Sequence, residues 1–383
     1  MPGKKSMLLF QRILPAYRIP VFRRLYQEFG MIPCYSLPVS SISPENAGRE
    51  IDFPAIRIKR LKVGRSSTAI IQNILPVLSS MRPALVISEG APSYLTLWLL
   101  VLLRPLFGYK LCLWSHGVKF HEMDKPFHGL RGGLQKWLFN RADALILYSD
   151  QRAVVLRKVL RKPEKIFVAR NTLDTDEMKL IYEKLSEKGK EVIKNELKFK
   201  RQFNLIFIGR LLKTKGLDDL LDAVGILPEE LDFELHIVGD GPEMSKLITR
   251  ARNDHRIKLY GNITNPFETG KLLYASDVMI MPGYVGLSVV HSFAFGCPVI
   301  TYESLKGEGP AHSPEVDYIH DKVNGIFCNP SPADLAATLE ELLLSPSILA
   351  DLSVNAFNTI KNEASIEIMM KGFHGMIRYL SIT

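Results

Sequence analysis

The clearest chemistry in this chain lies in two basic residues set in an otherwise acidic stretch. The apolar run Leu205–Ile208 leads into Gly209 and Arg210; Lys215 and Gly216 follow, and a helical pattern starts at Leu217. A glycine lets the backbone turn sharply after a strand. A guanidinium offers a planar fork and an ammonium a mobile point charge, and together they suit a diphosphate. Two solvated basic residues on a loop are the plain alternative. Function is favoured because residues 201–383 hold only 15 Lys and Arg against 23 Asp and Glu.

Three more places could do chemistry. The run ELHIVG ends in Gly239, Asp240, Gly241 and Pro242, a good strand-turn-helix junction but a nonspecific one. In VMIMPGYVGLSVVHSFAFGCPVIT a strand ends at Pro282, and a turn with Gly283 and Gly286 precedes a helix starting near Leu287. Helix N-terminal amides make an anion site. Ser288 adds a hydroxyl or simply caps that helix. His291, one turn in, could hydrogen-bond a ribose or be a satisfied structural histidine. In KLCLWSHGVKF a strand ends at Ser115, His116 and Gly117. A histidine there could orient or deprotonate a hydroxyl, with structural capping as the competing reading.

Other chemistries are excluded or weak. The sequence has no GxxxxGK[ST], GxGxxG, HExxH or GxSxG pattern,. Asp174-Thr-Asp176 is a DxD that reads better as a turn than as a metal site. The cysteines (Cys34, Cys112, Cys297 and Cys328) are far apart. That argues against zinc and a disulfide scaffold, and it suits a reducing compartment. The N-terminal apolar run Met7–Phe10 is too short for a signal-peptide core. The uncharged stretch from Gly90 to Leu103 spans 14 residues, short of the roughly 20 a spanning helix needs. Its segment YLTLWLLVLL reads as a buried core helix in preference to one dipping into a membrane.

These candidates need elements to position them. Short apolar runs recur at Met7–Phe10, Ile56–Ile58, Ala84–Ile87, Leu111–Trp114, Ala144–Leu147 and Ile166–Val168. They recur again at Leu205–Ile208, Leu235–Val238, Val278–Met281, Pro298–Thr301 and Gly325–Cys328. Helical patterns such as Leu217–Val224, Ala333–Leu344 and Ile348–Ile360 lie between them. Buried strands alternating with helices imply parallel sheets covered on both faces. In such doubly wound sheets ligands bind beyond the carboxyl ends of the strands, so the residues just after each strand carry the most weight. A chain of 383 residues suggests two domains at about 150 residues each.

Charge divides the chain at the same place. Residues 1–200 hold 34 Lys and Arg against 17 Asp and Glu, so the net charge of +9 is +17 in the first part and −8 in the second. One basic body is suited to a polyanion: nucleic acid, an anionic membrane surface or a phosphorylated substrate. The expected domains are 1–175, a charged interdomain segment 176–200, and 201–365. A C-terminal helix at 366–383 is placed to pack back on the first domain.

The series FIGRLLKTKGLDDLLDAVGIL, HIVGDGPEMSKL, KLYGNI, YASDVMIMPG and HSFAFGCPVIT resembles the carboxyl-terminal half of family 4 retaining glycosyltransferases. LPAYRIPVFRRL, LWSHG, ADALILYSD and VARNTLDTD are similar to the first half of that family, so the resemblance spans nearly the whole chain. It implies the GT-B fold: two Rossmann-like α/β domains, with the active site in the cleft between them. It also implies that Arg210 and Lys215 bind a donor diphosphate, beside Gly209. His116 would lie near the reacting sugar, and the turn from Gly283 through Gly286, Leu287 and Ser288 to His291 would hold donor phosphate, sugar and ribose. Gly239, Asp240 and Gly241 would form a nucleotide loop. Gly283 and His291 stand where the family often carries two glutamates, so glutamate contacts to donor hydroxyls do not carry over. The wording around this helix resembles a branch of bacterial polysaccharide enzymes. The loop QRILPAY lacks the glycine pair of many relatives.

The resulting expectation is a metal-independent, hexosyltransferase-type enzyme with no cofactor. It would move sugar from a UDP-, GDP- or dTDP-linked donor to a saccharide acceptor, polyprenyl-diphosphate-linked or other. It would work in the cytoplasm at the inner face of a bacterial membrane, in lipopolysaccharide, capsule or exopolysaccharide assembly, on an anionic surface and with no nucleic acid. The alternative is a noncatalytic sugar-nucleotide-binding scaffold subunit.

Overall fold

The computed structural model describes residues 6–36, 51–61, 71–118, 122–252, 254–304 and 309–382. It divides into two compact units, 1–174 with 366–383, and 175–365. By this division the first unit still carries +17 and the second −8.

The first unit is built on strands β1 (Met7–Phe10), β2 (Met31–Tyr35), β3 (Ile56–Arg57), β6 (Leu85–Glu89), β7 (Lys110–Ser115), β8 (Ala144–Leu147) and β9 (Ile166–Val168). Between β3 and β6, β4 (Arg60–Leu61) and β5 (Ile71–Gln72) form a short antiparallel ribbon. The seven strands run parallel in the order β3-β2-β1-β6-β7-β8-β9.

Alternate residues feed opposite faces, as the pleat requires. Leu8, Val86, Leu111 and Leu145 enter one core with Leu97 and Leu100 of the helix Leu95–Phe107 and Leu138 of the helix Gly129–Arg141. Leu9, Ile87, Cys112 and Ile146 enter the other, under the helices Ile19–Phe29 and Ile366–Tyr379. The C-terminal helix thus belongs to the first unit, and its Gly372 makes this possible. A Cβ there would sit 2.1 Å from the Val168 carbonyl oxygen.

The apolar-run pattern does not contain β2. Its sequence MIPCY has Pro33 at its centre, and proline argues against an interior strand because it donates no ladder hydrogen bond. The strand forms anyway, its parallel register pairing Leu9 with Pro33.

One buried cation locks a helix end in this unit. Lys165 is only 2% exposed. Its ammonium donates to the carbonyls of Phe139 (2.7 Å), Asn140 (3.1 Å) and Ala142 (2.7 Å) at the end of the helix Gly129–Arg141. Those carbonyls have no intrahelical partners. Lys165→Ala strands them and opens a cavity, which should cost about 3 kcal/mol in a denaturant titration. An unchanged midpoint would contradict this.

The second unit holds β10 (Phe203–Ile208), β11 (Phe233–Val238), β12 (Ile257–Gly261), β13 (Val278–Ile280), β14 (Val299–Tyr302) and β15 (Gly325–Cys328). They form a parallel sheet in the order β12-β11-β10-β13-β14-β15. The order reverses at β10, flanked by β11 and β13, a topological switch point of the kind where doubly wound sheets bind ligands.

The charged segment 176–200 lies within this unit and forms the helices Thr175–Lys188 and Lys190–Glu196. Lys190 and Lys194 reach Asp277 at 2.8 and 3.6 Å. Tyr182 stacks on Phe357 with centroids 4.1 Å apart.

Candidate functional site

In the second unit the predicted residues come together at the carboxyl ends of β10, β11 and β13. Gly209 and Gly239 end two neighbouring strands with φ of 153° and 143°, a region only glycine enters readily. A Cβ on Gly239 would lie 1.9 Å from the Gly209 carbonyl oxygen, so the two turns touch backbone to backbone. Leu211 N–H then donates to the Asp240 carbonyl at 2.9 Å, and Asp240 Oδ1 accepts from Gly241 N–H at 2.7 Å. The Gly239–Gly241 loop therefore shapes the Arg210 loop; its own carboxylate is spent on the turn.

The Arg210 loop is next zipped to the loop after β13. Gly283 N–H donates to the Lys215 carbonyl (3.1 Å) and Tyr284 N–H to the Thr214 carbonyl (2.8 Å). Gly283 is where this contact is tightest: a Cβ would lie 2.3 Å from the Thr214 oxygen and 2.4 Å from the Lys215 carbonyl carbon. No larger residue, a glutamate included, fits this arrangement of the two loops.

Lys215 folds over the junction. Its ammonium donates to the Tyr284 carbonyl at 2.7 Å and sits 5.1 Å from the Tyr284 ring centroid. Burial pushes its pKa down to about 8, with Glu315 opposing. Arg210 is exposed, and its side chain has no hydrogen bond or ion pair among the described residues.

Beyond Tyr284 the loop opens. A Cβ on Gly286 would meet nothing closer than 3.8 Å, and the N–H groups of Gly286 and Leu287 have no acceptor among the described residues. The helix Ser288–Phe293 follows. Ser288 Oγ lies 3.4 Å from the Met281 sulfur. His291 packs edge-on against Phe295, centroids 5.9 Å apart, and burial pushes its pKa down to about 4. It is a neutral imidazole at pH 7.

The residues that brace this loop were not anticipated from sequence. His312 accepts from Val285 N–H at Nδ1 (3.2 Å) and donates from Nε2 to the Tyr302 carbonyl (2.8 Å), which fixes its tautomer. Burial holds its pKa below the usual histidine range. Ser313 Oγ donates to the Val285 carbonyl at 2.8 Å and also contacts Glu315. The only sequence signal was the run His312-Ser313-Pro314-Glu315, where proline after a serine opens a helical turn.

In the first unit, His116 lies at the end of β7 on the wall of a cavity of about 490 Å³. Ser115 Oγ accepts from Gly117 N–H at 3.1 Å, and Gln135 donates to the Gly117 carbonyl at 2.8 Å, so the loop is held from two sides. His116 lies 4.7 Å from the Tyr148 ring centroid. Desolvation by the cavity wall, helped by the charges of Arg18 and Arg152, pushes its pKa down to about 4.

Sequence reasoning missed the cation across the same cavity. Arg18 is 7% exposed and stacked among Trp114 (4.8 Å), Tyr148 (5.0 Å) and Tyr17 (5.7 Å). Its Nε, the Nε of Arg12 and the indole nitrogen of Trp114 are buried without hydrogen-bond partners among the described residues. Arg12 also pairs with Glu89 at 3.2 Å. Arg12, Arg18 and Arg131 all line the cavity, and guanidinium groups on a cavity wall suit a ligand rich in anionic oxygen. The sequence signal was LPAYRIP itself, read for its overall wording and not for its arginine.

Solved structures similar over the whole chain include a glycosyltransferase from Rickettsia africae, with a TM-score of 0.72, 16% identity, and 100% of each chain covered. Another is HepE of Anabaena in complex with UDP, with a TM-score of 0.70, 16% identity, and 98% of this chain and 99% of that one covered. The chain therefore has the GT-B fold, two parallel-sheet α/β units. An uncharacterized glycosyltransferase of Methanocaldococcus jannaschii is 25% identical over 272 residues, 66% of this chain and 64% of the relative. The chain spans less than two thirds of the length of the curated relatives it matches. Residues 189–359, the greater part of the second unit with its Arg210, Lys215 and Gly283 loops, match the family described as Glycosyl transferases group 1.

Proposed function

We propose that this chain is a nucleotide-sugar-dependent retaining glycosyltransferase of the family 4 type that needs no metal. The second unit binds the donor and the first the acceptor. The observation that carries the reading is the junction of the Arg210–Lys215 loop with Gly283 and Tyr284. It sets a free guanidinium and a desolvated ammonium at the switch point of the sheet, beside open backbone amides. Those groups neutralise the charge that grows on a departing nucleoside diphosphate, the usual task of a phosphate site in transfer chemistry. The complex of HepE with UDP supports a nucleoside diphosphate as the leaving group.

His116 is neutral at pH 7 and a weak base at a pKa of about 4. This favours orienting an acceptor hydroxyl over deprotonating it. The leaving phosphate is then the group that takes the acceptor's proton. Arg12, Arg18 and Arg131 around the first unit's cavity favour an acceptor that carries phosphate, such as a polyprenyl-diphosphate-linked saccharide. Such an enzyme would work at the inner face of a bacterial membrane in surface polysaccharide assembly. The test is a screen of UDP-, GDP- and dTDP-sugars for nucleotide release with lipid-linked acceptors. Release from one donor class supports the reading, and no release from any donor opposes it.

One observation favours a second reading. Gly283 leaves no room for a carboxylate, so a noncatalytic sugar-nucleotide scaffold would keep this diphosphate loop and lose only turnover. Binding without release in every acceptor mixture would identify it.

The depressed pKa of Lys215 predicts a pH dependence. The ammonium is lost as pH rises through about 8, whereas an ordinary lysine holds its proton to about 10.4. Nucleoside diphosphate affinity should therefore fall about 10-fold between pH 7.5 and 9.5, by calorimetric titration. A flat profile over that range would remove Lys215 from the diphosphate site.

A further inference from the structure

We propose that the first unit docks on an anionic lipid bilayer through an apolar stripe shared by the helices Leu95–Phe107 and Gly129–Arg141. The proposal rests on the reading of a lipid-linked acceptor and names the surface that would meet the lipid.

Each helix has two apolar faces. The helix Leu95–Phe107 buries Leu97 and Leu100 in the core but leaves Leu102 73% and Leu106 76% exposed, four residues apart on one face. The helix Gly129–Arg141 buries Leu138 and Phe139, while Leu130 is 85% exposed and Leu134 and Trp137 follow at the same helical spacing, also exposed,. The two stripes adjoin. Trp98 stacks on Trp137 with centroids 6.0 Å apart and planes 14° from parallel, and Arg104 donates to the Arg141 carbonyl at 2.9 Å. A contiguous exposed apolar patch of this kind marks an interaction surface.

Charge selects the occupant. Neither helix contains an aspartate or glutamate, and together they carry Arg104, Arg131, Lys136 and Arg141. Arg104 is paired with Asp143 at 2.7 Å. Arg141 lies 5.3 Å over the Trp137 ring and Lys136 lies 6.0 Å from that of Phe127, cations resting on aromatic stems as they do at a lipid interface. Leucines flanked by cations, of which only Arg104 has a carboxylate partner among the described residues, complement a surface of apolar tails under anionic headgroups. At 13 residues each, the helices lie in that interface and do not cross it. Among the described residues no helix is long and apolar enough to cross a membrane.

The same helix joins this stripe to the candidate acceptor cavity. Arg131 and Gln135 line the cavity, one position on from Leu130 and Leu134. A headgroup in the cavity would therefore lie beside the face on which its lipid tail is buried.

The experiment uses the full chain and vesicles of phosphatidylcholine with or without 30% phosphatidylglycerol. The wild type should sediment with the anionic vesicles, less at high salt, and brominated lipid should quench its tryptophan fluorescence. The triple variant Leu102→Asp, Leu106→Asp, Leu130→Asp, with its circular dichroism and Tm unchanged, should lose at least about 10-fold in partitioning. Trp137→Phe should remove most of the quenching. If the triple variant binds vesicles as the wild type does, the stripe is not the docking surface, while the lipid-linked acceptor reading stands. If the wild type binds no vesicle, or the variant only breaks a dimer of this chain, the proposal is overturned. Nucleotide-sugar binding by the same preparation then tells whether the donor reading survives.

Discussion

Lys215→Ala is expected to lower kcat/KM for the sugar donor by about 100- to 1000-fold, the usual effect of removing one preorganised group that stabilises developing charge. The size of the effect comes from the position of the ammonium. It is held at 2.7 Å from the Tyr284 carbonyl and partly removed from water, so its field at a neighbouring phosphate is weakly screened. Arg210 is exposed, so Arg210→Ala should cost less, about 10- to 100-fold, and the loss should shrink at high salt. The loss in both variants should appear in kcat as well as in KM, because charge on the leaving diphosphate is greatest in the transition state. Steady-state kinetics with saturating acceptor measures this. Rates within a factor of two of the wild type in both variants would remove the two residues from the reaction.

Gly283→Glu is expected to damage the molecule, although the family resemblance alone would lead one to look for a glutamate there. A Cβ at this position would overlap the Thr214 oxygen at 2.3 Å and the Lys215 carbonyl carbon at 2.4 Å. Those are backbone atoms that cannot rotate away. The two loops would have to part, breaking the bonds from Gly283 and Tyr284 that set the position of Lys215. Overpacking of this kind costs about 3 kcal/mol, or about 6–12 °C in Tm for a unit of this size. Gly283→Ala should show most of the same loss, because the first carbon already clashes. Gly286→Ala is the contrasting case, since its Cβ would meet only ordinary contacts at 3.8 and 3.9 Å, and its Tm should stay near the wild-type value. Thermal unfolding of the three variants separates the outcomes. A Gly283→Glu protein with unchanged Tm would show that the loops are not locked as described.

The sequence carried more of the second unit than of the first, for a physical reason. Gly239 and Gly283 are fixed by backbone approaches that only glycine allows and Gly209 by its φ of 153°, and such positions can be read in a linear string. Arg210 and Lys215 stood out against an acidic background. The buried runs of β10, β11 and β14 contain five, six and four residues, and a parallel sheet leaves them no alternation to confuse. What could not be read are groups whose role depends on distant neighbours. Arg18 is one, because its cage joins the adjacent Tyr17 to Trp114 and Tyr148 from far along the chain. His312 is another, pinned between Val285 and Tyr302. β2 was hidden by Pro33, since the strand's support comes from β1 and β3 on either side and not from its own propensity. The helix Leu95–Phe107 was legible as a core helix from its buried face, but its exposed leucines needed coordinates.

Diphosphate recognition at the Arg210–Lys215 loop is the central claim, and calorimetric titration of the full chain with a nucleoside diphosphate and its monophosphate tests it most directly. Run with the uridine, guanosine and thymidine series at pH 7.5, it should find one base for which the diphosphate binds at least about 100-fold more tightly than the monophosphate, the worth of two charge-assisted contacts. That preference should collapse in the double variant Arg210→Ala, Lys215→Ala. Equal affinity for diphosphate and monophosphate in the wild type, or a preference that survives in the double variant, would contradict the account.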